Sequence, residues 1–206
     1  HHLDRLGQRL GRNPNLRDRP LGSREEIESA LALLNAQSTD VVKRAGSRAF
    51  LTTALSQNGA LDVLLVLGIQ ARLVWDVSHV YFQRPTFRDM TYLYSNDLTT
   101  AFLPGETDDA EMSEAMQPAL SAVMGSAAGV VPGLQVASTV FVNSVLSGTA
   151  NAFLTLRVGV IAQEYCRALT RPQKGLLRRL AVTQAGAMLG SIAVTGAGKV
   201  SSALGR

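Results

Sequence analysis

A single cysteine, Cys166, stands in 206 residues. It can form no intramolecular bridge and supply no multi-cysteine zinc site, which sets aside disulfide scaffolds and favours a reducing, cytoplasm-facing compartment. Charge is scarce as well, at 17% of residues against roughly 25% in an ordinary soluble domain. Aromatic residues make up only 5% and few of them fall among the basic clusters, so no surface for stacking on bases is expected, and no specific nucleic-acid partner. Three histidines, two of them His1 and His2, make no credible metal set. The nearest approach to a phosphate loop is Gly196-Ala197-Gly198-Lys199-Val200. It has Ala193 where the first glycine of a P-loop belongs and Val200 where a hydroxyl must hold magnesium, so no nucleotide site and no cofactor are expected. No basic stretch followed by an apolar one opens the chain, so no secretory signal is read there.

What is present is apolar residue, at 46%, and a net charge of +4 that conceals a segregation along the chain. Residues 1–24 carry six arginines against Asp4 and Asp18, and residues 89–114 carry only acids. Residues 115–156 bear no charged side chain, and from Arg157 onward the bases return with Glu164 as the sole acid. Basic segments flanking long neutral ones fit a cytoplasmic face against an anionic membrane; they also fit a buried helical pair whose basic ends are solvated. Residues 134–156 are long enough to cross a bilayer but contain Gln135, Asn143 and Asn151, amides that need partners away from water. Residues 60–82 include Asp62, Arg72 and Asp76, each expensive against lipid. Both are read as protein-buried helices ahead of membrane spans.

The pattern predicts an all-α fold, a compact bundle of about seven helices with a long central apolar helical hairpin. Residues 1–22 read as a basic linker or arm, 23–194 as the helical domain and 195–206 as a flexible tail. Ser23-Arg24-Glu25-Glu26 is a capping box, and Ile27, Ala30, Leu31 and Leu34 follow at helical spacing. Asp40 reads as the cap of a second helix reaching about Ser56. Further helices are expected at 60–83, with Arg72 and Asp76 spaced to pair, then at 86–102, 111–124, 134–169 and 173–194. Gly125 and Gly129, with Gly186 and Gly190, are spaced for a helix-packing or oligomer face, implying a possible homo-oligomer. Arg167, Arg171, Lys174, Arg178 and Arg179 form a candidate membrane-facing basic cluster. Asp76 and His79 could orient a general base, but with no activated nucleophile beside them a structural histidine is the favoured reading, and Cys166 reads as a buried thiol.

Two blocks of sequence resemble the YcjF-like bacterial family. The first runs from Lys43-Arg44-Ala45 through Ala54-Leu55-Ser56 and Leu61-Asp62 to Ala71-Arg72-Leu73-Val74, with Tyr81, Arg84 and Pro85. The second is Leu154-Thr155-Leu156-Arg157-Val158-Gly159, ending at Glu164-Tyr165-Cys166-Arg167-Ala168-Leu169, where the family's pattern has proline in place of Ala168. The resemblance covers about residues 37–170. It implies a helical, non-catalytic domain of unknown function, associated with the cytoplasmic side of the bacterial inner membrane and partnering a P-loop GTPase, and it transfers no catalytic residue. The positions Asp62, Arg72, Arg84 and Arg157 match the family and are expected to be charges paired within the bundle. The competing readings are an integral or lipid-inserting helical protein that oligomerises through small-residue faces and, more remotely, a small enzyme built on Asp76 and His79.

Overall fold

The computed structural model describes residues 7–8, 10–17, 19–56, 59–82, 108–127, 135–167 and 174–204. Among them lie a 3-10 turn at Pro14–Leu16 and five α-helices: α1 (Arg24–Leu55), α2 (Gly59–Phe82), α3 (Asp108–Ala127), α4 (Gln135–Arg167) and α5 (Lys174–Leu204). No strand occurs among the described residues. The helix expected at 86–102 and the breaks expected at 130–133 and 171–172 lie outside them.

The start of α1 follows from its first turn. Ser23 has extended backbone and its Oγ accepts the Glu26 N–H at 3.2 Å, while the Glu26 carboxylate accepts the N–H groups of Ser23 and Gly22, each at 2.9 Å. These bonds, Ser23's first and Gly22's second, hold the Glu26 carboxyl below its usual range. Its contribution to folding is therefore present above the ordinary carboxylate value and fades as pH falls through the lowered one. Ser23→Ala is expected to cost about 1 kcal/mol in urea unfolding at neutral pH; an unchanged midpoint would mean that the cap carries no stability.

The predicted break before Asp40 does not exist, and two expected helices are one. Ser38 and Thr39 turn their hydroxyls back to the Asn35 carbonyl, at 3.0 and 2.8 Å. The Gln163 amide of α4 then donates to Ser38 Oγ at 2.6 Å and Thr39 Oγ1 at 3.1 Å. A polar run that reads as a helix boundary is thus satisfied inside a continuous helix. The last helix also outruns its expected end near Val194. It continues to Leu204, and Ala197 and Val200 on it are buried. With one break missing and one expected helix outside the described residues, five helices take the place of about seven.

α4 forms the centre of the bundle, packed against α1, α2 and α5, while α3 lies mainly on α5. Among the described residues the expected apolar hairpin is not formed: the two halves of the uncharged stretch touch each other little and pack on other helices instead. α4 takes the centre because one of its faces is small. Gly148, Ala152, Thr155 and Gly159 are all buried, at spacings that place them in one line. A Cβ at Gly159 would sit 2.6 Å from Cγ1 of Val42, and one at Gly148 would sit 2.9 Å from the Phe50 carbonyl oxygen. Only glycine lets the α1 and α4 backbones approach so closely. Described residues of the stretch read as a basic arm also join the fold. Leu10 and Leu16 are buried, and the Asn13 Nδ2 donates to the Val80 carbonyl at 2.7 Å, satisfying an orphan carbonyl at the end of α2.

Candidate functional site

Polar groups of α4 point inward and find partners. Besides Gln163, the Asn151 amide donates to Thr53 Oγ1 of α1 at 3.2 Å, and the Gln70 amide of α2 donates to Thr155 Oγ1 at 3.4 Å. The Tyr81 hydroxyl shares a 3.1 Å hydrogen bond with Ser38 and donates to Asn35 Oδ1 at 3.2 Å, tying α2 to α1. Burial pushes the Tyr81 phenol up to about 12, against the smaller opposing pull of the Ser38 bond. Asn143, by contrast, is exposed.

The outer face of α2 has the opposite character. Leu64, Leu67, Gly68, Ala71 and Trp75 fall on one side and are all exposed, Leu64 at 67% and Trp75 at 41%. Among the described residues, three helical stretches are long and apolar enough to cross a membrane by length and composition: Asp62–Tyr81, Thr139–Arg167 and Gly175–Ala203. They differ in what covers them. The bundle buries 72% of the most apolar window on α4 but only 33% of that on α2. The apolar helix richest in amides is therefore wrapped in protein, and the one carrying Arg72 and Asp76 is left with a bare side.

The structure scatters the family-matched charges. Arg72 Nε pairs with Asp76 Oδ1 at 2.9 Å, the pairing its spacing predicted, but on the surface of α2 with Arg72 70% exposed. Asp62 lies in the first turn of α2, half-buried, where the positive end of the helix favours a carboxylate. Arg157 is buried in the C-terminal half of α4, and Arg84 lies outside the described residues. The basic cluster is likewise divided. Arg167 ends α4 and pairs with Glu164 at 3.2 Å; on α5, Arg178 is half-buried and Arg179 exposed. Lys174 opens α5, and Arg171 lies outside the described residues. Asp76 does not orient His79, whose Nδ1 lies 2.9 Å from the Trp75 carbonyl and whose ring leans on the indole at 4.4 Å between centroids. Cys166 is buried. The glycine-lysine run at 196–199 is a turn of α5, with Gly196 against the Phe50 ring.

Of the glycines singled out from spacing, Gly186 alone stands at a close helix contact, where an added Cβ would lie 3.1 Å from the Ala115 carbonyl oxygen of α3. Gly125 and Gly190 face open space, and Gly129 lies outside the described residues. The glycines that set helix spacing are Gly46, Gly148, Gly159 and Gly196, which sequence reasoning missed. On α4 a signal was available in the line of small residues from Gly148 to Gly159.

Sequence reasoning also missed a groove of about 410 Å³ between α1 and α2. Arg44 and Arg48 of α1 and Arg72 of α2 line it, with Asp76 on the same side and Gly68 and Ile69 in its wall.

No curated protein and no solved structure matches this chain. A family model does match, over residues 24–187, from the first residue of α1 well into α5. The chain belongs to the family described as a domain of unknown function, DUF697.

Proposed function

We propose that the domain is a non-catalytic helical module that rests on the cytoplasmic face of a bacterial inner membrane and serves there as a partner of a P-loop GTPase. The observation that carries the membrane part is the bare apolar side of α2, with Leu64, Leu67 and Trp75 outward. Full burial of such side chains is worth about 1.5–3 kcal/mol each. α2 lies along the interface and does not cross it, because Arg72 and Asp76 sit mid-helix on its surface and would be costly at bilayer depth. α1 supports this orientation, since Glu28, Asp40 and Lys43 are exposed to water. The GTPase part is supported by the likeness to YcjF-like proteins, and the non-catalytic part by the engagement of His79 with Trp75 rather than Asp76.

Fractionation of cells expressing the chain tests the membrane reading. The protein is expected to sediment with membranes, survive an isotonic wash and be released by alkaline carbonate. Recovery in the soluble fraction throughout overturns the reading, and retention through carbonate replaces it with an inserted protein. Co-purification with a P-loop GTPase encoded beside it, or a changed GTPase turnover on its addition, is the expected result for the partner; absence of both effects removes that part.

A further inference from the structure

We infer that the groove between α1 and α2 is a binding site for the phosphate headgroup of an anionic phospholipid, seated while the apolar side of α2 meets the acyl region. The inference rests on the membrane reading above and adds to it a site, a chemistry and an orientation. Arg44 and Arg48 stand one helical turn apart on α1 and face Arg72 of α2 across the groove. Arg72 is already engaged by Asp76, leaving two guanidiniums in excess of the single carboxylate. Arg44 and Arg48 are exposed and have no ion-pair partner among the described residues. Guanidinium offers a planar fork of donors that fits phosphate oxygens two at a time, which an ammonium cannot do. The groove wall at Gly68 is open, since an added Cβ there would meet nothing within 4 Å.

The neighbouring surface supplies the argument for a lipid over a free anion. Gly68 belongs both to the groove and to the exposed line of Leu64, Leu67, Ala71 and Trp75, so the basic cleft opens directly onto an apolar strip. A molecule with a phosphate at one end and hydrocarbon at the other satisfies both at once, whereas inorganic phosphate uses only the first. An interfacial helix with basic residues at the edge of an apolar face has this arrangement and prefers anionic lipid. The Trp75 indole, with an apolar body and a polar N–H, is a side chain suited to the headgroup boundary.

The test is co-sedimentation of the full chain with vesicles of phosphatidylcholine alone and of phosphatidylcholine mixed with phosphatidylglycerol. The mixed vesicles are expected to bind more tightly. In the doubly substituted Arg44→Gln, Arg48→Gln protein the partition into them should drop about twenty-five-fold, at roughly a factor of five per arginine near a charged surface. Arg12→Gln with Arg17→Gln removes the same charge from exposed positions outside the groove and is expected to cost much less. Unchanged melting in both variants shows that the fold is retained. Equal losses in the two double variants, or no loss in either, overturn the groove while leaving the membrane reading standing. Failure of the unsubstituted protein to bind either vesicle overturns both. Inorganic phosphate added at constant ionic strength should not displace the protein, and displacement would reassign the groove to a free anion.

Discussion

Phe50→Ala is expected to lower the free energy of unfolding by about 3–5 kcal/mol. The ring is wholly buried on α1, and its surroundings leave little room for relaxation. A Cβ at Gly196 of α5 would lie 2.5 Å from the ring, and the ring edge and carbonyl of Phe50 meet Gly148 of α4. Two glycines that border the side chain have nothing to swing into the space it vacates, so the void persists and the cost falls at the upper end of the range. The arrangement also predicts a reversal of sign. In the natural chain, Gly196→Ala drives a methyl into the ring, and overpacking of that kind costs about 1–3 kcal/mol against a helix-propensity gain near 1. In the Phe50→Ala background the methyl fills part of the void, and the same substitution becomes stabilising. A double-mutant cycle in urea measures this coupling. Additive effects, or a loss below about 1 kcal/mol for Phe50→Ala alone, would show that the three helices do not meet at this ring.

The misreadings follow from how far apart the deciding partners lie. The helix bounds of α2 and the pairing of Arg72 with Asp76 were legible because both are local: spacing on one helix fixes them. The continuity of α1 was not, since Ser38 and Thr39 look like boundary residues until Gln163, more than a hundred residues later, supplies their partner. The glycine spacings were a partial guide for the same reason, with Gly186 at a helix contact and Gly125 and Gly190 facing open space. A spacing of four on a single helix is local information, but close approach belongs to two helices, and Val42 and Phe50 on α1 decide which glycines on α4 and α5 matter. The central place expected for residues 134–156 is kept by α4, but what secures it there was hidden. Asn151 looked like a burden on α4, yet with Thr155 and Gln163 it is what secures that helix between α1 and α2. The groove with Arg44, Arg48 and Arg72 draws on two helices and could not be seen in either alone.

Gln163→Leu carries the second large expected effect, about 2–3 kcal/mol, because it strikes a network that joins three helices. Gln163 is 3% exposed, and its amide serves Ser38 and Thr39; Ser38 in turn meets the hydroxyl of Tyr81. Leucine keeps most of the volume, so the loss reports on hydrogen bonding in the interior more than on a void. Tyr81→Phe should cost about 1 kcal/mol alone and less in the Gln163→Leu background, since both act through the Ser38 hydroxyl. The network also has a pH signature. The folded state holds the Tyr81 phenol at about 12 against an ordinary value of 10.0. Its contribution is therefore intact below the ordinary value and is lost as pH rises towards the elevated one. Unfolding free energy should fall across that alkaline interval in the natural chain, and Tyr81→Phe should flatten the fall. An identical alkaline slope in the two proteins would mean that Tyr81 is as accessible in the folded chain as in the unfolded one, and that the join between α1 and α2 is open to water.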